Sequence, residues 1–253
     1  MVKGLNIFKE HFRDYTDRFV LIGGTACYLS MDDAGVAFRA TKDLDIVLFV
    51  EMLDVEFVKH FWEFIEAGNY ENRQKNTGDK RFYRFFAPQD DSYPYMLELF
   101  SKKPDALTFD GEGHLTPIPM NEETSSLSAI MLDENYYEFI HSGKFFIGDL
   151  PVVKPEYLIP LKARAWVDLT ERRANGEEVK GDDIKKHKND VFRLFQIIPT
   201  DNIIEMPETV KENLGRFLDA MPQEQIDLKA LGLGGISLAE VLSELRRIYG
   251  LTV

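Results

Sequence analysis

The sequence predicts an α/β chain of the α+β kind, with a mixed β-sheet and flanking helices over residues 1–150 and a mostly helical region over residues 151–253. Three observations carry this. FVLIGGTACYL followed by RATKDLDIVLFVE reads as strand, glycine turn, helix and second strand. RFYRFFAP and YPYMLELF, separated by the turn-like QDDS, read as a hairpin. Beyond Pro151 the apolar residues recur at helical spacing.

Taken in order, Leu5, Phe8, Phe12 and Tyr15 share one face of an opening helix, and FVLI is a buried strand. TACYLSMDD starts a helix directly at the Gly-Gly turn, and LDIVLFV is the second strand. VEFVKHFWEFIEAG places Val55, Val58, Phe61, Trp62 and Ile65 on one helical stripe that stops at Gly68. From about Asp105 to Gly148, the short apolar runs LSAIML, YYEFI and KFFI are expected to be further strands of the sheet. PEYLIPLKARAWVDLTERR is a helix with Pro155 in its first turn and Asn175-Gly176 as its stop, and Pro160 is expected to disturb that first turn. DDIKKHKNDVFRLFQII sets Ile184, Val191, Phe195 and Ile198 on one stripe closed by Pro199. Two more helices follow, around ETVKENLGRFLDAM and SLAEVLSELRRIY. The glycines of LGLGGIS lack the lysine of a phosphate-binding loop and precede Ser237 as a helix cap.

With 253 residues and 44% hydrophobic content, the chain can bury one large core or two modest ones, and two units are expected. A lone cysteine, Cys27, excludes an internal disulfide, and the five histidines show no zinc-ligand spacing. A reducing, cytoplasmic location is expected. MVKGLNIFKEHFRDY is too polar for a signal peptide and no apolar run approaches a membrane span, so no membrane partner is expected. A formal net charge of -13 opposes any partner held mainly through its phosphates. Yet basic residues concentrate in two segments: Arg73, Lys75, Lys80, Arg81 and Arg84 in the first, Lys180, Lys185, Lys186, Lys188 and Arg193 in the second. Each also reads as an ordinary solvated strand edge or helix face.

The chemistry-bearing residues cluster around the first two strands. Gly23 and Gly24 permit close approach of the backbone to a ligand, and a helix starting at Thr25 offers free amides and its positive dipole end to triphosphate oxygens, with the Thr25 hydroxyl as a further donor. The same glycines also suit a plain strand-to-helix turn. Asp43 and Asp45 are two apart on a strand and so share a face. Two like charges there call for cations unless both remain in water. If MLELF pairs beside that strand, Glu98 completes a three-carboxylate cluster able to hold two divalent ions, Mg2+ or Mn2+, against a nucleoside triphosphate. Arg39 and Lys42 flank the aspartates and neutralise either phosphate charge or the aspartates themselves.

In this combination the chain resembles the nucleotidyltransferases of the polymerase-β-like superfamily, which pair a glycine turn with an acidic pair on the next strand and a third acid on a later one. GGTACYL, RATKDLDIVL, MLELF and PEYLIPLKARAW look more closely like the AbiEii-type branch, known from toxin-antitoxin and phage-abortive systems, over about residues 18 to 195. The resemblance implies a nucleotidyltransferase catalytic domain at residues 1–150. It implies triphosphate contacts from Gly23, Gly24 and Thr25, metal ligation and catalysis by Asp43, Asp45 and Glu98, and a phosphate-reaching Lys162 with Asp190 in the helical region. Lys162 and Asp190 also read as solvated helix residues. Two departures stand out: DDAGVAF lengthens the stretch between Thr25 and Asp43, and Arg193 stands at the family's second acidic position in the later helix.

The expected function is therefore metal-dependent transfer of a nucleoside monophosphate from a nucleoside triphosphate to an acceptor hydroxyl. The resemblance implies an RNA end, such as that of tRNA, as acceptor and a toxin role opposite an antitoxin protein. Arg73, Lys75, Lys80, Arg81 and Arg84 would then form a positive track leading to Glu98, with Phe82, Tyr83, Phe85 or Phe86 stacking a terminal base. Two other readings stay open: transfer to a small molecule or protein hydroxyl, which the acidic charge favours, and a catalytically idle nucleotide- or partner-binding module, which Arg193 leaves open.

Overall fold

The chain, as a computed structural model, is described over residues 2–71, 83–102, 115–117 and 128–251, by backbone alone over 115–117 and 128–131. It divides into two compact units, one of Met1–Leu29 with Arg39–Val153, the other of Ser30–Phe38 with Lys154–Val253.

The first unit is built on a mixed sheet of eight described strands. β1 (Phe19–Ile22) runs antiparallel to β2 (Asp43–Leu48), with Phe19 opposite Leu48 and Ile22 opposite Asp45. Helix α2 (Gly23–Asp33) starts immediately at the end of β1. β4 (Met96–Ser101) lies parallel to β2 on its other side, and β3 (Arg84–Phe86) pairs antiparallel with the start of β4, which is the hairpin expected from RFYRFFAP and YPYMLELF. β6 (Ser128–Met131) joins β4 further along the same edge and pairs in turn with β5 (Leu115–Pro117). At the other side β8 (Leu150–Val153) lies parallel to β1, and β7 (Lys144–Ile147) forms the edge.

Alternation divides this sheet into two faces. Phe19, Leu21, Leu44, Ile46, Leu48, Phe85, Leu97 and Leu99 share one face by register and are all buried. Against it pack α1 (Leu5–His11) and α3 (Val55–Ala67). The Phe8 ring lies 5.5 Å from that of Phe19, and Phe61 lies 5.7 Å from Phe85. Each such aromatic pair adds about 0.5–1.5 kcal/mol beyond its buried area. The Asp54 side chain caps α3 by accepting from the amide of Phe57, and Gly68 ends the helix as expected.

YYEFI is not a strand but the body of α4 (Glu134–Ser142). Asp133 caps it by accepting from the Asn135 amide, and Tyr136, Tyr137, Phe139 and Ile140 are buried at the i, i+1, i+3, i+4 spacing of a helix. An aromatic run with high strand propensity was overruled by the local cap and by tertiary burial.

The second unit is helical: α5 (Pro155–Ala174), α6 (Gly181–Phe195), α7 (Glu208–Ala220) and α8 (Leu238–Ile248). Ser237 caps α8 in a reciprocal capping box with Glu240. Contrary to expectation, α5 continues without interruption through Pro160. Proline removes the amide that would pair with the Glu156 carbonyl four residues back. That carbonyl instead accepts a hydrogen bond from the hydroxyl of Tyr249 at 2.6 Å, and Tyr249 is fully buried.

Candidate functional site

The glycine turn is built by steric necessity. Gly23 has φ +66°, a left-handed conformation that disfavours other residues, and a Cβ there would stand 1.7 Å from Oδ2 of Asp45. A Cβ on Gly24 would lie 2.8 Å from the Thr41 hydroxyl and 3.6 Å from the Arg39 guanidinium. The start of α2 is thus pressed against Asp45, Thr41 and Arg39, with first-turn amides that have no acceptor inside the helix. The Thr25 hydroxyl does not point to an outside ligand. It is buried and donates to the Asp43 carbonyl at 2.8 Å, tying α2 to β2.

The three acids lie on one face. Asp45 is opposite Ile22 on β1 and opposite Glu98 on β4, and Asp43 is opposite Met96. Residues paired across strands point to the same side about 4.8 Å apart, so Glu98 is a direct neighbour of Asp45. Asp43 Oδ1 is buried and finds no hydrogen-bond partner among the described residues, which is costly for a carboxylate. Glu98 is differently placed. Arg84, directly opposite it on β3, donates from Nε to Oε1 at 2.5 Å, and a second guanidinium nitrogen reaches the same oxygen. Among the described residues no three His, Cys, Asp or Glu side chains converge closely enough to hold a metal ion. The expected three-carboxylate cage is therefore present as a shared face but not as a closed set of ligands, because Glu98 is turned onto Arg84. Asp43, with its orphaned oxygen, and Asp45, beside the glycine cradle, do fit a divalent cation.

The flanking basic residues have local partners. The Lys42 ammonium sits 3.9 Å over the Tyr95 ring. Arg84, expected in a track for RNA, is engaged with Glu98, and Phe85 is core rather than a base-stacking platform. Arg73, Lys75, Lys80, Arg81 and Phe82 lie outside the described residues. In the second basic segment Lys188 is buried, donating to Glu224 at 2.5 Å and to the Gln225 carbonyl at 3.1 Å, so that helix face is only partly solvated.

In the second unit, Lys162 and Asp190 are not solvated helix charges. Both are buried, with the Lys162 ammonium 3.5 Å from Oδ2 of Asp190. Arg193 approaches Oδ1 of the same carboxylate at 3.4 Å, and its guanidinium lies 5.9 Å from the Phe38 ring. Arg193 thus serves as a second cation for Asp190. Sequence reasoning missed the Arg84–Glu98 pairing: alternation in RFF and MLELF fixes which residues share a face within each strand, but the register that sets Arg84 opposite Glu98 is encoded in neither segment alone.

By its own architecture this is a mixed α/β sheet with flanking helices, followed by a helical region. No protein-family model and no curated protein matches the chain. Among solved structures, the Helicobacter pylori protein JHP933 is similar at TM-score 0.40 and 16% identity, covering 98% of this chain and 88% of its own. The Megavirus polyadenylate synthase is similar at TM-score 0.40 and 12% identity, over 87% of this chain and 36% of that enzyme. The antibiotic-resistance factor ANT(2'')-Ia reaches TM-score 0.36 at 10% identity, over 87% of this chain and 94% of its own. Likenesses of this size assign no activity.

Proposed function

We propose that this chain transfers a nucleoside monophosphate from a nucleoside triphosphate to an acceptor hydroxyl. The observation that carries the reading is the parallel register of Asp45 with Glu98, which sets Asp43, Asp45 and Glu98 on one sheet face beside the Gly23-Gly24 turn. In this reading the amides opening α2 bind the triphosphate, and Arg39, close to Gly24, adds positive charge. Thr25 positions rather than binds, by fastening the helix start to the carbonyl of Asp43. The AbiEii-type resemblance adds Lys162, paired with Asp190, as a phosphate-directed cation, and Lys42, next to Asp43, lies over the Tyr95 ring.

Asp43 and Asp45 are the residues that would hold Mg2+ or Mn2+, with Glu98 as the third ligand once it is free of Arg84. Divalent ions held there would neutralise phosphate charge and make the acceptor hydroxyl more acidic. Glu98, next to Asp45, orients the acceptor hydroxyl and takes its proton. The acceptor oxygen then bonds to the α-phosphorus as the bond to the bridging oxygen breaks and pyrophosphate leaves.

The acceptor we propose is an RNA end, with the chain as the toxin-like member of a pair with an antitoxin protein, in line with the AbiEii-type resemblance. A small-molecule or protein hydroxyl is the second reading. It is favoured by the net charge of -13 and by the engagement of Arg84 with Glu98. The test is to incubate the protein with each labelled nucleoside triphosphate, Mg2+ and separate RNA, protein and metabolite pools, with Asp45→Ala as control. Label on RNA supports the first acceptor and label in another pool the second. Labelling equal to that of Asp45→Ala in every pool overturns the activity.

A further inference from the structure

We propose that Arg84 is an internal counter-cation of the acidic centre, holding Glu98 in the ligand-free chain and competing with a divalent cation for its carboxylate. This rests on the reading of Asp43, Asp45 and Glu98 given above.

Three observations lead to it. Asp45 is opposite Glu98 in the β2–β4 pairing and Glu98 is opposite Arg84 in the β3–β4 pairing, so the three form one row across three strands on a single face. Both guanidinium contacts converge on Oε1 of Glu98, a charge-assisted pairing of the strong kind. Glu98 and Asp43 are compensated unequally: the Glu98 side chain is only 13% exposed and has a cation, while Asp43 Oδ1 is buried with no hydrogen-bond partner among the described residues. A carboxylate so shielded and next to Asp45 needs a positive neighbour.

Arg84 can also leave. Its side chain is 49% exposed, whereas the next residue, Phe85, anchors β3 in the core through Phe61 and Trp62. Withdrawal of the guanidinium into water therefore costs the ion pair and not the strand. A guanidinium bound to Oε1 and a cation seeking the same oxygen exclude each other by charge and by space. The consequence is that Glu98 becomes available to a cation only once Arg84 has withdrawn, and Arg84 acts through Glu98 as a positioning residue.

The experiment is a Mn2+ titration of the full chain without nucleotide, read by the loss of the free-ion electron paramagnetic resonance signal. Arg84→Met should tighten Mn2+ binding by about tenfold, the worth of one charge-assisted pairing. Arg84→Lys, which keeps the charge without the fork, should fall between. In a Glu98→Gln background Arg84→Met should change nothing, and Asp45→Asn should weaken Mn2+ in every background. Thermal melts verify folding, and Arg84→Gln replaces Arg84→Met if the latter unfolds. Unchanged affinity in Arg84→Met with a strong effect of Asp45→Asn overturns the proposal and leaves the acidic centre standing. A tightening that survives Glu98→Gln overturns it in favour of a general surface-charge effect. Indifference to Asp45→Asn removes the centre itself.

Discussion

Replacing Lys162 by Met tests whether the buried charge cluster of the second unit is coupled as its geometry indicates. Asp190 is fully buried and touches two cations, Lys162 at 3.5 Å and Arg193 at 3.4 Å. Removing one partner of a buried pair typically costs about 3–5 kcal/mol, because the survivor keeps its desolvation penalty. Arg193 remains beside Asp190, and its side chain is 24% exposed, so it retains part of the compensation. The expected loss is therefore about 2–3 kcal/mol. With a urea slope of about 2 kcal/mol per molar for a unit of this size, the midpoint should fall by about 1–1.5 M. Trp166 is the reporter: it is buried in the same unit, with its ring 5.3 Å from Phe217, and a Trp62→Phe background leaves its fluorescence alone. Adding Asp190→Leu to Lys162→Met should recover most of the midpoint, since the stranded charge is gone. A shift below about 0.25 M for Lys162→Met, as for an exposed ion pair, would refute the reasoning.

Three further outcomes are expected. Tyr249→Phe should cost about 1–3 kcal/mol by stranding the Glu156 carbonyl, and Pro160→Ala should rescue it in that background but add little to the parent, a coupling read from urea midpoints. Gly23→Ala should lower the melting temperature and abolish nucleoside triphosphate binding in calorimetry, because the left-handed backbone costs about 1–2 kcal/mol and its methyl collides with Asp45; wild-type affinity would contradict the glycine cradle. His11 stacks on His60 at 3.9 Å, each ring bonded to the other's backbone carbonyl, and burial followed by the neighbouring imidazole outweighs the carbonyl and Glu63 in lowering its pKa from 6.5. The folded chain then binds fewer protons there than the unfolded one, so this stabilisation is complete above pH 6.5 and is lost as pH falls through the depressed value. His11→Gln should flatten that part of the stability profile, and an unchanged profile would disprove it.

Local chemistry by itself determined much of this protein. The run FVLIGG, the alternation of DLDIVL and MLELF, the stop at Gly68 and the cap at Ser237 each act within a few residues, so they were legible as strand, turn, helix end and helix start. The common face of Asp43 and Asp45 followed from period-two alternation alone. Its extension to Glu98 depended on pairing β4 beside β2, which the alternation of MLELF suggested and the parallel register supplied. The tertiary structure decided the rest, because each case turns on a partner remote in sequence or on burial. YYEFI became a helix when its aromatics found the core. Pro160 lies inside a continuous helix because Tyr249, 93 residues from the carbonyl it serves, meets that carbonyl. Lys162 and Asp190 turned from surface charges into a buried pair because packing of α5 on α6 removed their water. Glu98 left the acidic set for Arg84 because strand register, which no single segment encodes, set a guanidinium directly across from it.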